Sequence, residues 1–368
     1  MSVKLFQIIH EIESIAPLYL QEPYDNSGLL VGNKNQEIHQ ALVCLDCTEE
    51  VIDEAIAKNC NLIIAHHPLI FGGLKRLVGQ NDVQRAVVKA IQHNIALYAC
   101  HTNLDNVLKQ GVNEKIAQKL ELNHLKVLQP KKNILQKLSV FVPTDNAQIL
   151  TDALFAAGAG NIGNYSECGF SQEGQGSFKP NDGSKPTIGQ LGKREVLKET
   201  KIEVVFPAWK ASEILSAMFD VHPYEEVAYQ LMTMENTVDE FGSGVVGELA
   251  NSMSKIDFLN HLKEKMELDV FKHTEFFGVE IKKVAICGGA GAFLIQRAKS
   301  VNADVYISSD IKYHEFFDAE KQLMICDIGH FESEKYTIDL IMDILSKKFP
   351  NFATIFAHTN TNPIQYYR

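Results

Sequence analysis

The 368-residue chain lacks the features that would commit it to a membrane, a secretory route or a nucleic-acid backbone. No segment approaches about 18 uncharged apolar residues, so no membrane span is expected. The opening Met-Ser-Val-Lys-Leu-Phe-Gln-Ile-Ile-His sets polar residues inside an apolar pattern and runs into an amphipathic helix, which is no secretory signal. Positive charge is in short supply. Lys and Arg number 35 against 46 Asp and Glu, a formal net charge of −11, so nucleic acid and anionic membranes are not expected partners. The cysteines, Cys44, Cys47, Cys60, Cys100, Cys168, Cys287 and Cys326, are odd in number and scattered, which excludes a disulfide framework. Cys44-Leu-Asp-Cys47 has C-x-x-C spacing but lies in a strand rather than opening a helix. The chain reads as cytoplasmic. A P-loop is missing as well: Gly288-Gly-Ala-Gly291 follows a strand, but no Gly-Lys-Ser/Thr ending follows it, and the turn reads as strand-to-helix packing.

What is present is ordinary globular material, 45% hydrophobic and 22% charged, in a length that fits about two to three domains. Leu5, Ile8, Ile9, Ile12 and Ile15 recur at helical spacing. Strand-like runs at Ala41–Cys44, Leu62–Ala65 and Ile95–Cys100 then alternate with helical patterns, the first opened by Thr48 as a cap with Glu49 and Glu50 behind it. From about Lys126 the rhythm becomes β-α-β-β-α-β, with a polar, glycine-rich stretch between Gly158 and Gly192 that reads as a hairpin. Past Phe241-Gly-Ser-Gly244 the first rhythm returns, with strands at Lys283–Cys287, Ala303–Ser308 and Leu323–Cys326 and a last helix over Ser333–Lys347. We expect a split α/β core domain, residues 1–125 and 245–368, with mixed sheets flanked by helices. Residues 126–244 are expected to form an inserted ferredoxin-like α+β domain.

The chemistry gathers where strands end. Asn61-Leu-Ile-Ile-Ala-His-His-Pro68 is a buried strand that stops at two histidines and a proline, and in open α/β sheets ligands bind at that carboxyl edge. Neighbours on a regular strand face opposite ways, so His66 and His67 serve one ion only if the chain twists at Pro68, or serve two side by side. Three further strand ends carry residues of the same type: His101 with Asp105, Asp310 with His314, and His330 with Glu334. The last pair is four apart at the start of a helix, on one helical face. Imidazole and carboxylate together suit Zn, Mn, Fe or Co rather than Ca or Mg alone. Two histidines plus shared carboxylates can hold two ions about 3.5–4 Å apart, a spacing of hydrolytic two-metal sites.

Ile64-Ala-His-His-Pro-Leu-Ile-Phe, His101-Thr-Asn-Leu-Asp105, Asp310-Ile-Lys-Tyr-His314 and Gly329-His-Phe-Glu-Ser-Glu334 together resemble the NGG-interacting-factor-three family, whose bacterial members are described as type 2 homologues of GTP cyclohydrolase 1. Asp25-Asn-Ser-Gly-Leu-Leu-Val-Gly32 and the closing Asn360-Thr-Asn-Pro-Ile fit the same pattern. The resemblance implies metal ligands at His66, His67, Asp105, His330 and Glu334, with Glu334 bridging two divalent ions (Zn, Mn or Fe). It places His101 and His314 nearby as acid/base or supporting groups. It also implies a PII-like or CutA-like insert, matched locally by Val221-His-Pro-Tyr-Glu-Glu, and a homohexamer built as a trimer of dimers. Two functions stay open. One is a metal-dependent hydrolase of a nucleotide or related small molecule, in which an imidazole shuttles the proton. The other is a non-catalytic metal-binding ring whose insert senses a ligand or partner.

Overall fold

A computed structural model gives the fold, and it describes residues 2–367. Clustering of contacts divides the chain into two compact units. One joins the residues up to Lys131 to those from Val238 onward, and the other is Lys132–Thr237. The limits read from sequence, after 125 and after 244, fall inside the strands Leu122–Pro130 and Gly242–Met253. Those two strands pair antiparallel with each other, Val127 opposite Val245, and the ladder keeps both in the first unit.

The first unit contains a five-stranded sheet in the order Ala353–Phe356, Gln40–Cys44, Leu62–Ala65, Ala96–Ala99, Gly28–Val31. The first four run parallel and Gly28–Val31 closes the edge antiparallel. Leu62–Ala65 and Ala96–Ala99 are buried throughout, which is why each reads as an unbroken apolar run. The helices Glu49–Ala57 and Asp82–Gln92 lay Val51, Ile52, Ala55, Ala86 and Ala90 against Leu42, Ile63 and Leu97. Each helix starts with a side-chain cap, Thr48 accepting from the Val51 amide and Asn81 from the Gln84 amide.

The same unit holds a six-stranded sheet, ordered Lys272–His273, Met324–Asp327, Val305–Ser309, Ile281–Ala290, Gly242–Met253, Leu122–Pro130. Ile281–Ala290, Val305–Ser309 and Met324–Asp327 are parallel and the remaining pairings antiparallel. Both sheets are therefore mixed. Each takes a strand from the far half of the sequence: Ala353–Phe356 completes the first, Leu122–Pro130 the second. The long last helix expected from sequence is two helices, His330–Glu334 and Thr337–Lys348. No helix among the described residues is long and apolar enough to cross a membrane.

The second unit runs strand Leu135–Pro143, helix Ala147–Ala156, strands Gly169–Phe178 and Glu195–Pro207, helix Ala211–Val221, strand Tyr229–Met234. Its sheet is antiparallel, with Leu135–Pro143 and Glu195–Pro207 central and the other two strands at the edges. Leu138, Val140, Ile202 and Phe206 pack against Leu150, Leu154, Ile214 and Met218 of the helices. The glycine-rich stretch supplies one arm of a hairpin, Gly169–Phe178 paired with Glu195–Pro207.

Just past the last strand of the first unit the chain meets a carboxylate that gathers several donors. Glu54 accepts from the amides of His358 (2.7 Å) and Thr359 (2.9 Å), the Thr359 hydroxyl (2.6 Å) and Lys58 (2.5 Å). Burial opposes its ionisation, but these donors outweigh it and hold the carboxyl at about 2. An unfolded Glu sits near 4.3, so the contribution is complete above about pH 5 and is withdrawn as pH falls from about 4 to 2. Protection of the His358 and Thr359 amides, taken relative to their intrinsic exchange rates at each pH, is expected to be high at pH 6, to fall on acidification through that window, and to be low at every pH in Glu54→Gln.

Candidate metal centre

His66 and His67 follow the strand Leu62–Ala65 directly. Their consecutive amides donate to consecutive carbonyls, Cys44 and Leu45, so the one-in-two rhythm of a parallel ladder is broken there. The two rings turn toward each other, centroids 4.9 Å apart. Other carboxyl ends supply the rest. His101 follows Ala96–Ala99, Asp105 ends the helical turn Thr102–Asp105, and His330 and Glu334 lie on the short helix after Met324–Asp327. Both sheets thus deliver side chains to one place, the edge where open α/β sheets bind ligands.

Every imidazole in the group has its Nδ1 fixed from behind. His67 meets Asp46 at 2.7 Å, His101 meets Asp25 at 2.8 Å, His330 meets Asp310 at 2.5 Å, and His66 meets the Cys100 carbonyl at 2.8 Å. An acceptor at Nδ1 sets the tautomer and leaves Nε2 as the nitrogen able to ligate. For His66, His67 and His330 that atom faces Glu334. The carboxylate is 2% exposed. Its Oε2 lies 3.0 Å from Nε2 of both His67 and His330, themselves 3.4 Å apart, and its Oε1 lies 3.7 Å from His66 Nε2. Asp105 Oδ1 is 3.6 Å from that same nitrogen.

These separations are too long for good hydrogen bonds at His66, and two atoms are orphaned there. His66 Nε2 and Asp105 Oδ1 are buried with no hydrogen-bond partner. A buried polar atom without a partner is costly. Ligand atoms about 2.0–2.2 Å from a tetrahedral ion are themselves separated by roughly 3.3–3.5 Å, close to the spacing seen here. His66, His67 and Glu334 bring donor atoms within 4.8 Å of one another. The residues fit a metal.

The electrostatics point the same way. Burial alone would raise the Glu334 carboxyl, yet the imidazoles of His330, His66 and His67 hold it well below the usual carboxylate range. Burial and then the Glu334 charge push Asp105 well up. Burial also lowers His66. It works against protonation of His67 and His330 too, but Asp46 and Glu334 lift the first to about 10, and Glu334 with Asp310 lifts the second to about 9. Without an ion, protons hold the cluster together.

Glycine makes the room. Gly289, at φ +65°, has its amide on Ser333 Oγ, and a Cβ there would collide with Glu334 Oε1. The turn read from sequence as plain strand-to-helix packing is the floor beneath the carboxylate. Above the cluster opens a cleft of about 880 Å³, walled by Tyr24, Phe71, Phe271, Phe293, Phe331 and Tyr366.

Seven of the eight residues singled out from sequence meet here: His66, His67, His101, Asp105, Asp310, His330 and Glu334. His101 packs its ring 5.4 Å from His66 and 5.2 Å from His67. His314 lies elsewhere, exposed on the turn Tyr313–Ala319 with its ring against Tyr313 and Phe317, and it does not line the cleft. The reason is backbone. Asp310 sits at φ +55° and turns the chain, so its carboxylate reaches His330 while the residues after it swing away. The sequence reading gave Asp25 and Asp46 no role at the metal. They lie 76 and 21 residues from the histidines they hold, and no local pattern links them.

The model of the Duf34/NIF3 (NGG1p interacting factor 3) family matches residues 3–363. The chain belongs to this family. A Duf34/NIF3 relative from Bacillus subtilis (strain 168), named GTP cyclohydrolase 1 type 2 homolog, is 41% identical over 372 residues, spanning 99% of each protein. Among solved structures, a Bacillus cereus protein related to NIF3 superposes with a TM-score of 0.80 at 36% identity, and Staphylococcus aureus protein SA1388 with 0.77 at 31%. Each spans 99% of this chain and of its own.

Two outcomes follow from the geometry. Ligand atoms must shed their protons before a metal binds, so loading at neutral pH is expected to release roughly two to three protons per chain, from His67, His330 and the raised carboxyl of Asp105. Affinity then tightens as pH climbs from 6 toward 9, and calorimetry in two buffers of different ionisation enthalpy counts the protons. Gly289→Ala is expected to displace Glu334 and to cost about 1–3 kcal/mol through its left-handed backbone, read by thermal denaturation together with metal content.

Proposed function

We propose that the chain is a metal-dependent hydrolase with two divalent ions, acting on a nucleotide or related small molecule. The observation that carries this reading is Glu334, whose two oxygens face two different sets of donors. His66, Asp105 and Oε1 would hold one ion, and His67, His330 and Oε2 the other. Zn, Mn and Fe suit this mix of imidazole and carboxylate. When bound, such ions activate water and polarise the bond to be cut. The chain's own residues do the rest. Asp46 and Asp310 keep the ligand nitrogens aimed, and Asp25 fixes His101 Nδ1, leaving Nε2 as the nitrogen that moves a proton at the cleft. The printed name of the Bacillus subtilis relative, GTP cyclohydrolase 1 type 2 homolog, is consistent with a nucleotide substrate.

The second unit supports a different reading, a regulatory ring whose insert senses a ligand. Its β-α-β-β-α-β order supports a ferredoxin-like, PII-like or CutA-like module. It contains its own cleft of about 810 Å³, walled by residues 177–188 and by Tyr224, Glu225 and Glu226. Assembly of the whole chain into a homohexameric ring is part of the proposal in either reading.

Elemental analysis of gently purified protein is expected to find about two equivalents of metal per chain. His67→Ala and Glu334→Ala should lose them while staying folded, and Asp46→Asn should weaken binding by about 10- to 100-fold. Less than one equivalent after reloading with Zn, Mn or Fe would remove the hydrolase reading and leave the insert as the place of function.

A further inference from the structure

The charge around the cleft narrows what can enter it, an inference that rests on the dinuclear reading above. Seven carboxylates line the cleft, and among the described lining residues there is one lysine and no arginine. That lysine, Lys272, is engaged by the buried Asp327 at 2.6 Å. Asp327 in turn accepts from the amides of Ile311 and Gly329, so the carboxylate is fixed in the wall and neutralises the lysine's charge from there. Glu22 is matched by Lys131 at 2.5 Å. The remaining five, Asp46, Asp105, Asp310, Glu332 and Glu334, have no lysine or arginine partner among the described residues. Two divalent ions with neutral imidazole ligands would leave this group about one negative charge in excess, and a single ion about three.

A site for a polyphosphate shows the opposite pattern: guanidinium or ammonium groups held in reserve, or a run of backbone amides at a helix N-terminus. Among the described residues the cleft's one lysine is already paired, and Glu332, fixed by Asn362 Nδ2 at 3.1 Å, adds a carboxylate at the cleft wall. The wall also carries six Phe and Tyr side chains among small and aliphatic residues. Tyr24, Phe71 and Phe293 are 70%, 54% and 61% exposed, a large apolar area to leave in water unless something flat covers it. Phe71 is braced edge-on against His101, centroids 5.8 Å apart, which puts one aromatic face beside the proton-moving imidazole.

We propose that the cleft takes an uncharged planar ring compound of nucleobase or nucleoside size, and discriminates against its phosphorylated forms. Aromatic faces supply the affinity, and the uncompensated carboxylates supply the selection by repelling phosphate. A nucleotide would then be a poorer ligand than the nucleoside it contains.

Calorimetric titration of the metal-loaded protein with guanosine, GMP and GTP tests this, with metal content measured in every sample. Guanosine is expected to bind at least tenfold tighter than GTP at low salt, with GMP between them. Raising ionic strength should narrow the gap by screening the repulsion. In Glu332→Lys, GTP affinity is expected to rise severalfold while that of guanosine stays within twofold. GTP binding as tightly as guanosine or more so, weakening with salt, would overturn the proposal, and so would guanosine failing to bind at millimolar concentration. Loss of metal from the protein before any ligand is added would instead overturn the dinuclear reading, and this inference with it.

Discussion

A carboxylate taken almost completely out of water governs the rest of this structure. Glu334 keeps its charge where burial would remove it, because three imidazoles stand around it. Burying a charge is tolerable only with close partners of good geometry, so each partner has to be held in place. Much of the local architecture follows from that demand. Gly289 yields its side chain, Ser333 ties the glycine turn to the helix that carries Glu334, and the two sheets meet with their carboxyl edges together. The bonds from His67 to Glu334 also link the two sheets across 267 residues of sequence.

The same solution recurs around that centre. Three histidines are backed by an aspartate and the fourth by a backbone carbonyl. The difference matches position. His66 is completely buried, where a fourth aspartate would add a second uncompensated charge, and a neutral carbonyl fixes its ring at lower cost. His67, His101 and His330 lie toward the cleft; water reaches Asp46 and Asp310 behind the first and last, while the buried Asp25 behind His101 is satisfied by neighbouring donors. Asp25 shows how far the support extends: besides His101 it accepts from the Thr102 amide and the Ser27 hydroxyl, so one side chain shapes the loop and aims the ring.

Most of the residues that gather at the cluster were legible in the sequence because their signals are local. A run of four buried apolar residues ending at His66 and His67, and a histidine four residues before a glutamate, are patterns with a fixed physical meaning. The strand–helix alternation of the outer segments was legible for the same reason. Three things were not. The aspartates behind the histidines belong to turns and meet their partners only in the folded chain. The turn after Asp310 depends on a left-handed backbone at a non-glycine residue, so His314, four residues on, looked like a neighbour of the site. The strands Leu122–Pro130 and Ala353–Phe356 pair with partners more than a hundred residues away, and periodicity carries no record of pairing. The domain limits drawn from sequence cut the first of these strands in two.

That exchange of strands has a temporal side. The sheet that presents His66 and His67 gains its edge strand, Ala353–Phe356, from a segment synthesised nearly three hundred residues later, and His330 and Glu334 precede that strand by only about twenty positions. During translation the amino-terminal half emerges with His66, His67, His101 and Asp105, but with neither Glu334 nor the edge strand. The second unit, complete by Thr237, can fold while the first is still waiting. The proposed metal centre therefore cannot assemble until synthesis has passed Glu334.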